Sequence, residues 1–276
     1  MKSILFSSLG FLLLTFFSCQ EVIEVDRERQ QSQIAVEGLI VNKAGESFVL
    51  LTSTAPYFSA ETPAPVTGAS VTVADDHNHS VLFQETEDGR YIAPADFKGL
   101  PGYTYSLTIE FNGSVLTAQS KMADSLEVTN VRLEYIGEDH AHIQEGYYLY
   151  GTLNSDDPEP NYFKSEVYVN GVRRQETAHD LQVFDDRYFG GLGYVEGTFG
   201  HWTSDSDNAL QKDDVITLRL YALDKPAHDY LRALKDTPSH GGMHGRNPAN
   251  VPSNIRGGVG LFHAAAYTTS EEITLQ

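Results

Sequence analysis

The sequence predicts an all-β fold, in which an antiparallel sandwich is followed by a second β-rich domain with one short helix. Three observations lead to this prediction. Short runs of alternating apolar and polar residues recur along the chain, with the period expected of half-buried strands. Clusters rich in Asn, Asp and Gly, which favour turns, separate these runs. A good helical pattern occurs only over residues 226–235.

The chain begins with a short positive start at Lys2, followed by an almost wholly apolar run, Ile4–Phe17, and then by Ser18 and Cys19. This run fits the apolar part of a signal peptide and is too short for a bilayer-spanning helix, which needs roughly 20 residues. A small residue before the only cysteine resembles a bacterial lipoprotein signal. We therefore expect residues 1–18 to be a signal peptide and Cys19 to carry lipid. The alternative is an ordinary secretory signal that contains a cysteine.

Charge restricts the possible partners. The chain has 19 Lys and Arg against 38 Asp and Glu, a net charge of −19. Nucleic-acid affinity comes mainly from cations that meet phosphates, so a nucleic-acid partner is not expected. We expect acyl chains on Cys19 to hold the protein at a membrane, with residues 19–33 as a tether. Acidic residues after Cys19 resemble the signal that sends lipoproteins to the outer face of the outer membrane in Bacteroidetes-type bacteria.

The first folded domain is predicted over residues 34–122. Asn112-Gly113 is typical of a two-residue hairpin turn, because both residues tolerate positive φ. The patterns Gly89-x-Tyr91 and Gly102-x-x-Tyr105-x-Leu107 resemble the turn-then-strand patterns of immunoglobulin-like and transthyretin-like sandwiches, and we interpret them as scaffold. The predicted strands are Ile34–Val41, Ser47–Ser53, Ala69–Ala74, Ser80–Glu85, Tyr103–Phe111 and Ser114–Ser120.

The second, β-rich domain is predicted over residues 123–276. Its helix is predicted over Pro226–Lys235, because proline suits the first turn and the apolar residues that follow share one face. Residues 239–260 are rich in Gly, Pro, Asn and Ser and are predicted to form a long loop. The predicted strands are Val128–Tyr135, Gly146–Leu153, Phe163–Val169, Val215–Leu223 and one or two within Leu261–Leu275.

Several motifs occur in an order that resembles a known family. They include Val36-Glu37-Gly38, Gly99-Leu100-Pro101-Gly102 and a terminal Ser-Asn-Ile-x-Gly-Gly-x-Gly-x-Phe motif. The named positions of the terminal motif are Ser253, Asn254, Ile255, Gly257, Gly258, Gly260 and Phe262. The series resembles the Bacteroidetes lipoproteins grouped as the domain-of-unknown-function 4249 family. The resemblance implies a surface lipoprotein that is a non-catalytic accessory or binding partner of an outer-membrane TonB-dependent nutrient transporter.

Motifs for catalysis are missing from the sequence. It contains no Gly-x-Ser-x-Gly, no His-Glu-x-x-His and no cysteine besides Cys19. No pair of carboxylates stands out as a glycosidase pair. We therefore predict that the protein is not an enzyme. We interpret Gly257, Gly258 and Gly260 as serving positive φ or close backbone approach.

Paired histidines suggest an alternative function. Residues i and i+2 share one face of a strand, so His-x-His can present two imidazoles to one ion. Imidazole suits Zn and Cu, and a thioether suits Cu(I). The alternative is therefore a surface lipoprotein that captures Cu or Zn; apart from these ions no cofactor is expected. The competing interpretation is exposed turn histidines without a metal. The candidate ligands are His77, His79, His140, His142, His240, Met243 and His244.

Overall fold

The computed structural model describes residues 32–54, 62–137, 143–155, 159–175, 177–188, 193–203, 208–237 and 251–276. Ser32–Gln276 form one compact unit. The described residues are mostly strands and contain one α-helix, which confirms the predicted all-β class. No helix among them is long and apolar enough to cross a membrane. The predicted signal peptide and Cys19 lie outside the described residues.

The elements follow the chain in this order: β1 (Ile34–Val41), β2 (Phe48–Ser53), β3 (Ser70–Asp75), β4 (Ser80–Glu87), β5 (Arg90–Ile92), β6 (Thr104–Phe111), β7 (Ser114–Lys121), β8 (Val128–Ile136), β9 (Gly146–Ser155), β10 (Tyr162–Val169), β11 (Val172–Arg173), a 3₁₀ turn (Ala178–Asp180), β12 (Gln182–Asp185), β13 (Gly193–Trp202), β14 (Val215–Leu223), α1 (Lys225–Lys235), β15 (Val259–Ala265), β16 (Tyr267–Thr269) and β17 (Ile273–Thr274).

The N-terminal strands form a two-layer sandwich. One layer has the order β15-β1-β2-β5, and the other contains β3, β6 and β7. Strand β4 joins the layers, because its first half pairs with β3 and its second half with β5. The core between the layers includes Val49, Leu51, Leu107 and Ile109. Strand β15, which lies in the predicted second domain, pairs in parallel with β1 and completes this sandwich.

A second core lies between two further sheets. One has the order β11-β10-β14-β16, and the other has the order β13-β9-β8. Val167 on β10 and Leu218 on β14 point into this core, where they meet Leu149, Phe199 and Trp202. Because side chains alternate along a strand, every second residue of β10 and β14 faces the opposite way. That opposite face lies beside β1, β15 and α1.

Local signals account for the turns and the helix. Asn112 and Gly113 adopt φ of 49° and 78° between β6 and β7, which confirms the predicted hairpin. The Asp224 carboxylate accepts the Ala227 N–H at 2.9 Å and caps α1, and Pro226 lies in the first turn. The predicted helix is therefore confirmed.

Candidate ligand-binding cleft

The terminal motif Ser253–Phe262 forms a clasp between the two layers of the first sandwich. The Asn254 side chain donates to the Phe262 carbonyl at 2.6 Å and accepts the Phe262 N–H at 3.0 Å. The backbone of Arg256 exchanges two hydrogen bonds with Thr117 on β7, at 2.8 and 3.1 Å. Phe262 itself is fully buried in the sandwich core. The clasp therefore ties β15 to β7.

Backbone conformation and close contacts explain why glycine occupies several positions of the clasp. Gly257 and Gly260 adopt φ of 86° and 115°. A Cβ atom on Gly260 would lie 2.1 Å from the Val36 carbonyl oxygen, and one on Gly258 would lie 2.6 Å from that of Ile34. These geometries confirm the interpretation from sequence. The terminal motif thus holds the scaffold together.

The described histidine pair lies where β3 turns into β4. His77 Nδ1 lies 3.0 Å from Asp76 Oδ1, and the ring stacks on Tyr103 at 4.1 Å. His79 Nδ1 lies 3.0 Å from Asp75 Oδ2. Among the described residues, no group of three or more His, Cys, Asp or Glu is arranged to hold a metal. The remaining candidates, His140, His142, His240, Met243 and His244, lie outside the described residues, so the metal site stays a prediction.

A cleft of about 730 Å³ lies between the first sandwich and the sheet of β10 and β14. Its walls come from β1, β2, β5 and β15 on one side and from β10, β11 and β14 on the other, and α1 contributes Tyr230, Leu231 and Leu234. Pockets for small molecules commonly measure about 300–1,000 Å³. The size of the cleft therefore suits a small ligand.

A buried carboxylate is the centre of the charged wall. Glu166 is 5% exposed. It accepts hydrogen bonds from Lys164 Nζ at 3.0 Å, Tyr168 Oη at 2.9 Å, Tyr221 Oη at 3.0 Å and Arg173 Nη1 at 3.3 Å. Burial would raise the pKa of Glu166, but the Lys164 charge and the hydrogen bonds outweigh burial and lower this pKa to about 2. The carboxylate is therefore ionised at neutral pH.

Cations outnumber carboxylates on the cleft wall. Arg219 lies over the rings of Tyr168 and Tyr267, at 4.6 and 5.0 Å, and 3.8 Å from Glu46. Four cations against three carboxylates give a local charge of +1, in a chain whose net charge is −19. The cleft wall is therefore a part of this acidic chain where cations are in slight excess and can bond an anion directly. The charged wall residues are Arg90, Lys164, Arg173 and Arg219, with Glu37, Glu46 and Glu166.

His263 on β15 is the unusual polar group of the opposite wall. Its side chain is 6% exposed, both ring nitrogens are closed to solvent, and neither makes a hydrogen bond of standard geometry among the described residues. Burial and the nearby Lys164 charge lower the pKa of His263 to about 3, although the Gly38 carbonyl favours the protonated ring. The imidazole is therefore neutral at pH 7 and offers one donor and one acceptor.

The rest of the cleft wall is largely apolar. Leu39 and Leu261 come from β1 and β15, and Leu181 follows the 3₁₀ turn. Tyr230 and Leu234 lie on the face of α1 that lines the cleft. The cleft thus offers charged groups from β10, β11 and β14 and apolar surface from α1, β1 and β15.

The sequence analysis does not predict this site. The pattern that points to it is the triplet Lys164-x-Glu166-x-Tyr168, which places three polar residues on one face of a strand. The other face carries Phe163 and Val167, which lie in the second core. A central strand with one polar face indicates either exposure or a buried site. Sequence alone does not decide between them.

Comparison with known families decides the classification. The family profile of the Domain of unknown function (DUF4249) matches residues 20–271. The chain belongs to this family. A search of curated proteins found no match.

Among solved structures, this DUF4249 chain is similar to a DUF4785 family protein from Legionella pneumophila subsp. pneumophila str. Philadelphia 1. The identity is 10%, the match covers 68% of this chain and 52% of that chain, and the TM-score is 0.22. The match thus spans about half the length of the Legionella protein. With so low a TM-score, this likeness carries no argument about fold or function.

Proposed function

We propose that this DUF4249 protein is a lipid-anchored protein of the outer-membrane surface that binds a small ligand in the cleft. In this proposal it is a non-catalytic accessory of a TonB-dependent nutrient transporter. The observation that carries the proposal is the cleft, where a buried ion network and His263, whose ring makes no hydrogen bond of standard geometry within the described part of the chain, line a space of ligand size.

The ion network supports a binding role because it is an inefficient way to stabilise a fold. Desolvation of two buried charges offsets much of their attraction, so apolar residues of similar size are often as stabilising. Lys164 and Glu166 are both nearly inaccessible to solvent. Binding of a ligand to these charges would explain why they are present in the cleft, whereas packing of the fold does not require them.

The sequence supports the anchor and the location. Cys19 follows an apolar run of signal-peptide length, and acidic residues come directly after it. Family membership supports the transporter, since the resemblance implies surface lipoproteins encoded beside TonB-dependent transporters. A lipid-held protein with a ligand cleft would deliver its ligand to such a transporter.

A pull-down from native outer membranes in gentle detergent tests this function. The lipidated protein is captured, and co-purifying proteins are identified by mass spectrometry. We expect a TonB-dependent transporter to co-purify in near-stoichiometric amount. We also expect the Cys19→Ala variant, which has no lipid anchor, to be absent from the membrane fraction. A folded, surface-exposed preparation that brings down no transporter would contradict the proposal.

Metal capture remains the second candidate, and one observation favours it. Metal-bound imidazoles commonly hold a carboxylate on the other ring nitrogen, and His77 and His79 each have a carboxylate at Nδ1. The test is titration of the mature protein with Zn and Cu, beside the variants His77→Ala plus His79→Ala and His240→Ala plus His244→Ala. Unchanged affinity in both variants would count against this candidate.

A further inference from the structure

We infer that the ligand of the cleft is a small organic anion, with an acidic head group such as a carboxylate on an apolar body. This inference rests on the proposed binding function and adds the chemical class of the ligand. Three features of the described residues lead to it: unused cationic donors, an unpartnered imidazole and an adjoining apolar wall.

The cationic donors exceed what Glu166 can accept. A carboxylate has about four acceptor sites, and Glu166 already accepts four hydrogen bonds. Lys164 and Arg173 each give one of these bonds, whereas an ammonium has three donors and a guanidinium has five. No further carboxylate of the cleft wall is bonded to either residue in the described structure. The remaining donors of the half-exposed Arg173 and of Lys164, which also lies over the Tyr221 ring at 4.3 Å, are therefore free to bond the oxygens of a ligand in place of water.

His263 adds a neutral donor on the facing wall. A buried polar group without a partner costs free energy. Both ring nitrogens are closed to solvent, so a ligand oxygen removes that cost only once neighbouring side chains shift to admit it. Lys164 and His263 line the cleft from its two facing walls, and we place the acidic head group between them. A cationic ligand would instead meet a net positive wall and a saturated carboxylate.

The apolar body is inferred from the wall that adjoins the charges. Tyr230, Leu231 and Leu234 of α1 face the cleft together with Leu39 and Leu261. A free inorganic anion would leave this surface in contact with water. An organic acid with a ring or a short alkyl chain would cover it, which favours burial of apolar area.

The test is calorimetric titration of the mature protein at pH 7 and low salt with octanoate, 3-phenylpropionate and the neutral amide of the latter. We expect 3-phenylpropionate to bind at least about tenfold more tightly than its amide, since a charge-assisted hydrogen bond is commonly that strong. Arg173→Gln should weaken binding of the acid by about tenfold and leave the amide unchanged.

Arg187→Gln is the matched control. Both arginine side chains are 48% exposed, but Arg187 pairs with Asp185 outside the cleft. Circular dichroism and thermal unfolding check that both variants fold. Equal affinity for acid and amide, or no binding of either acid at millimolar concentration, would overturn the inference. If the transporter still co-purifies in that case, the proposed accessory function stands and only the ligand class is wrong. If the acid binds but no transporter co-purifies, the ligand class stands and the accessory function is wrong.

Discussion

The clasp and the cleft use their polar groups in opposite ways. In the clasp, the Asn254 amide is satisfied at both ends by the backbone of Phe262. In the cleft, cations outnumber carboxylates, and His263 has no hydrogen-bond partner among the described residues. Polar groups whose hydrogen bonds are all made within the fold indicate a structural role. Buried polar groups with donors or acceptors left over indicate a site that binds a ligand. This difference distinguishes the clasp from the candidate site.

The largest expected effect breaks the clasp. Gly260→Ala places a Cβ atom 2.1 Å from the Val36 carbonyl oxygen at a φ of 115°. We expect a loss of at least about 4 kcal/mol in the free energy of unfolding, measured by urea denaturation. The control is Gly102→Ala, where φ is 85° but nothing lies within 4 Å; it should cost only about 1–2 kcal/mol. Equal losses would show that the contact with Val36 is unimportant.

The second prediction separates stability from binding in the cleft. Glu166→Leu leaves the Lys164 charge buried without its partner and should cost about 3–5 kcal/mol. The double variant Lys164→Met plus Glu166→Leu should recover most of this loss, as urea denaturation will show, and should still fail to bind 3-phenylpropionate. A double variant as unstable as the single one would mean that the network serves the fold.

The third prediction makes the opposite separation in the clasp. Asn254→Ala leaves the N–H and C=O of Phe262 without their side-chain partners, at a cost of about 2–3 kcal/mol. Affinity of the cleft for 3-phenylpropionate, measured by calorimetry at a temperature where the variant is folded, should not change. A loss of affinity equal to that of Arg173→Gln would show that the clasp contributes to ligand binding and would contradict its purely structural role.

The smallest expected effect concerns pH. The pKa of His263 is lowered from 6.5 to about 3 by folding. The unfolded chain therefore binds more protons between these values, and stability falls as the pH falls below 6.5. Between pH 7 and pH 5 this residue should account for about 2 kcal/mol of lost stability. In His263→Leu, urea denaturation at the two pH values should show a pH-dependent loss smaller by that amount; an unchanged loss would contradict the buried, unpartnered imidazole.

The sequence alone predicts most strands, α1 and the hairpin at Asn112-Gly113, because these elements depend on local alternation, capping and turn residues. Strand β13 was missed, since Gly193, Gly197 and Gly200 interrupt its pattern and a bulge follows Thr198. Such glycines weaken a strand signal. Here they have a packing role, because the ring of Trp202 lies against Gly200.

The cleft could not be predicted in the same way. It exists because β15 pairs with β1 and thereby brings His263 near Lys164 of β10. These contacts join segments far apart in the chain, and nothing in the local pattern of Lys164-x-Glu166 distinguishes a solvated strand face from a buried one. The motif that sequence singled out, Ser253–Phe262, is instead the scaffold that positions β15.

The most direct test of anion binding in the cleft is to follow the NMR signals of the His263 ring while the mature protein is titrated with 3-phenylpropionate. His79, which is exposed and paired with Asp75, serves as the internal control. We predict saturable shifts of the His263 ring signals and none for His79, and the neutral amide should need at least about tenfold higher concentration to reach half of its His263 shift. A His263 signal that stays unchanged while the protein is folded would contradict the claim that the cleft binds an organic anion.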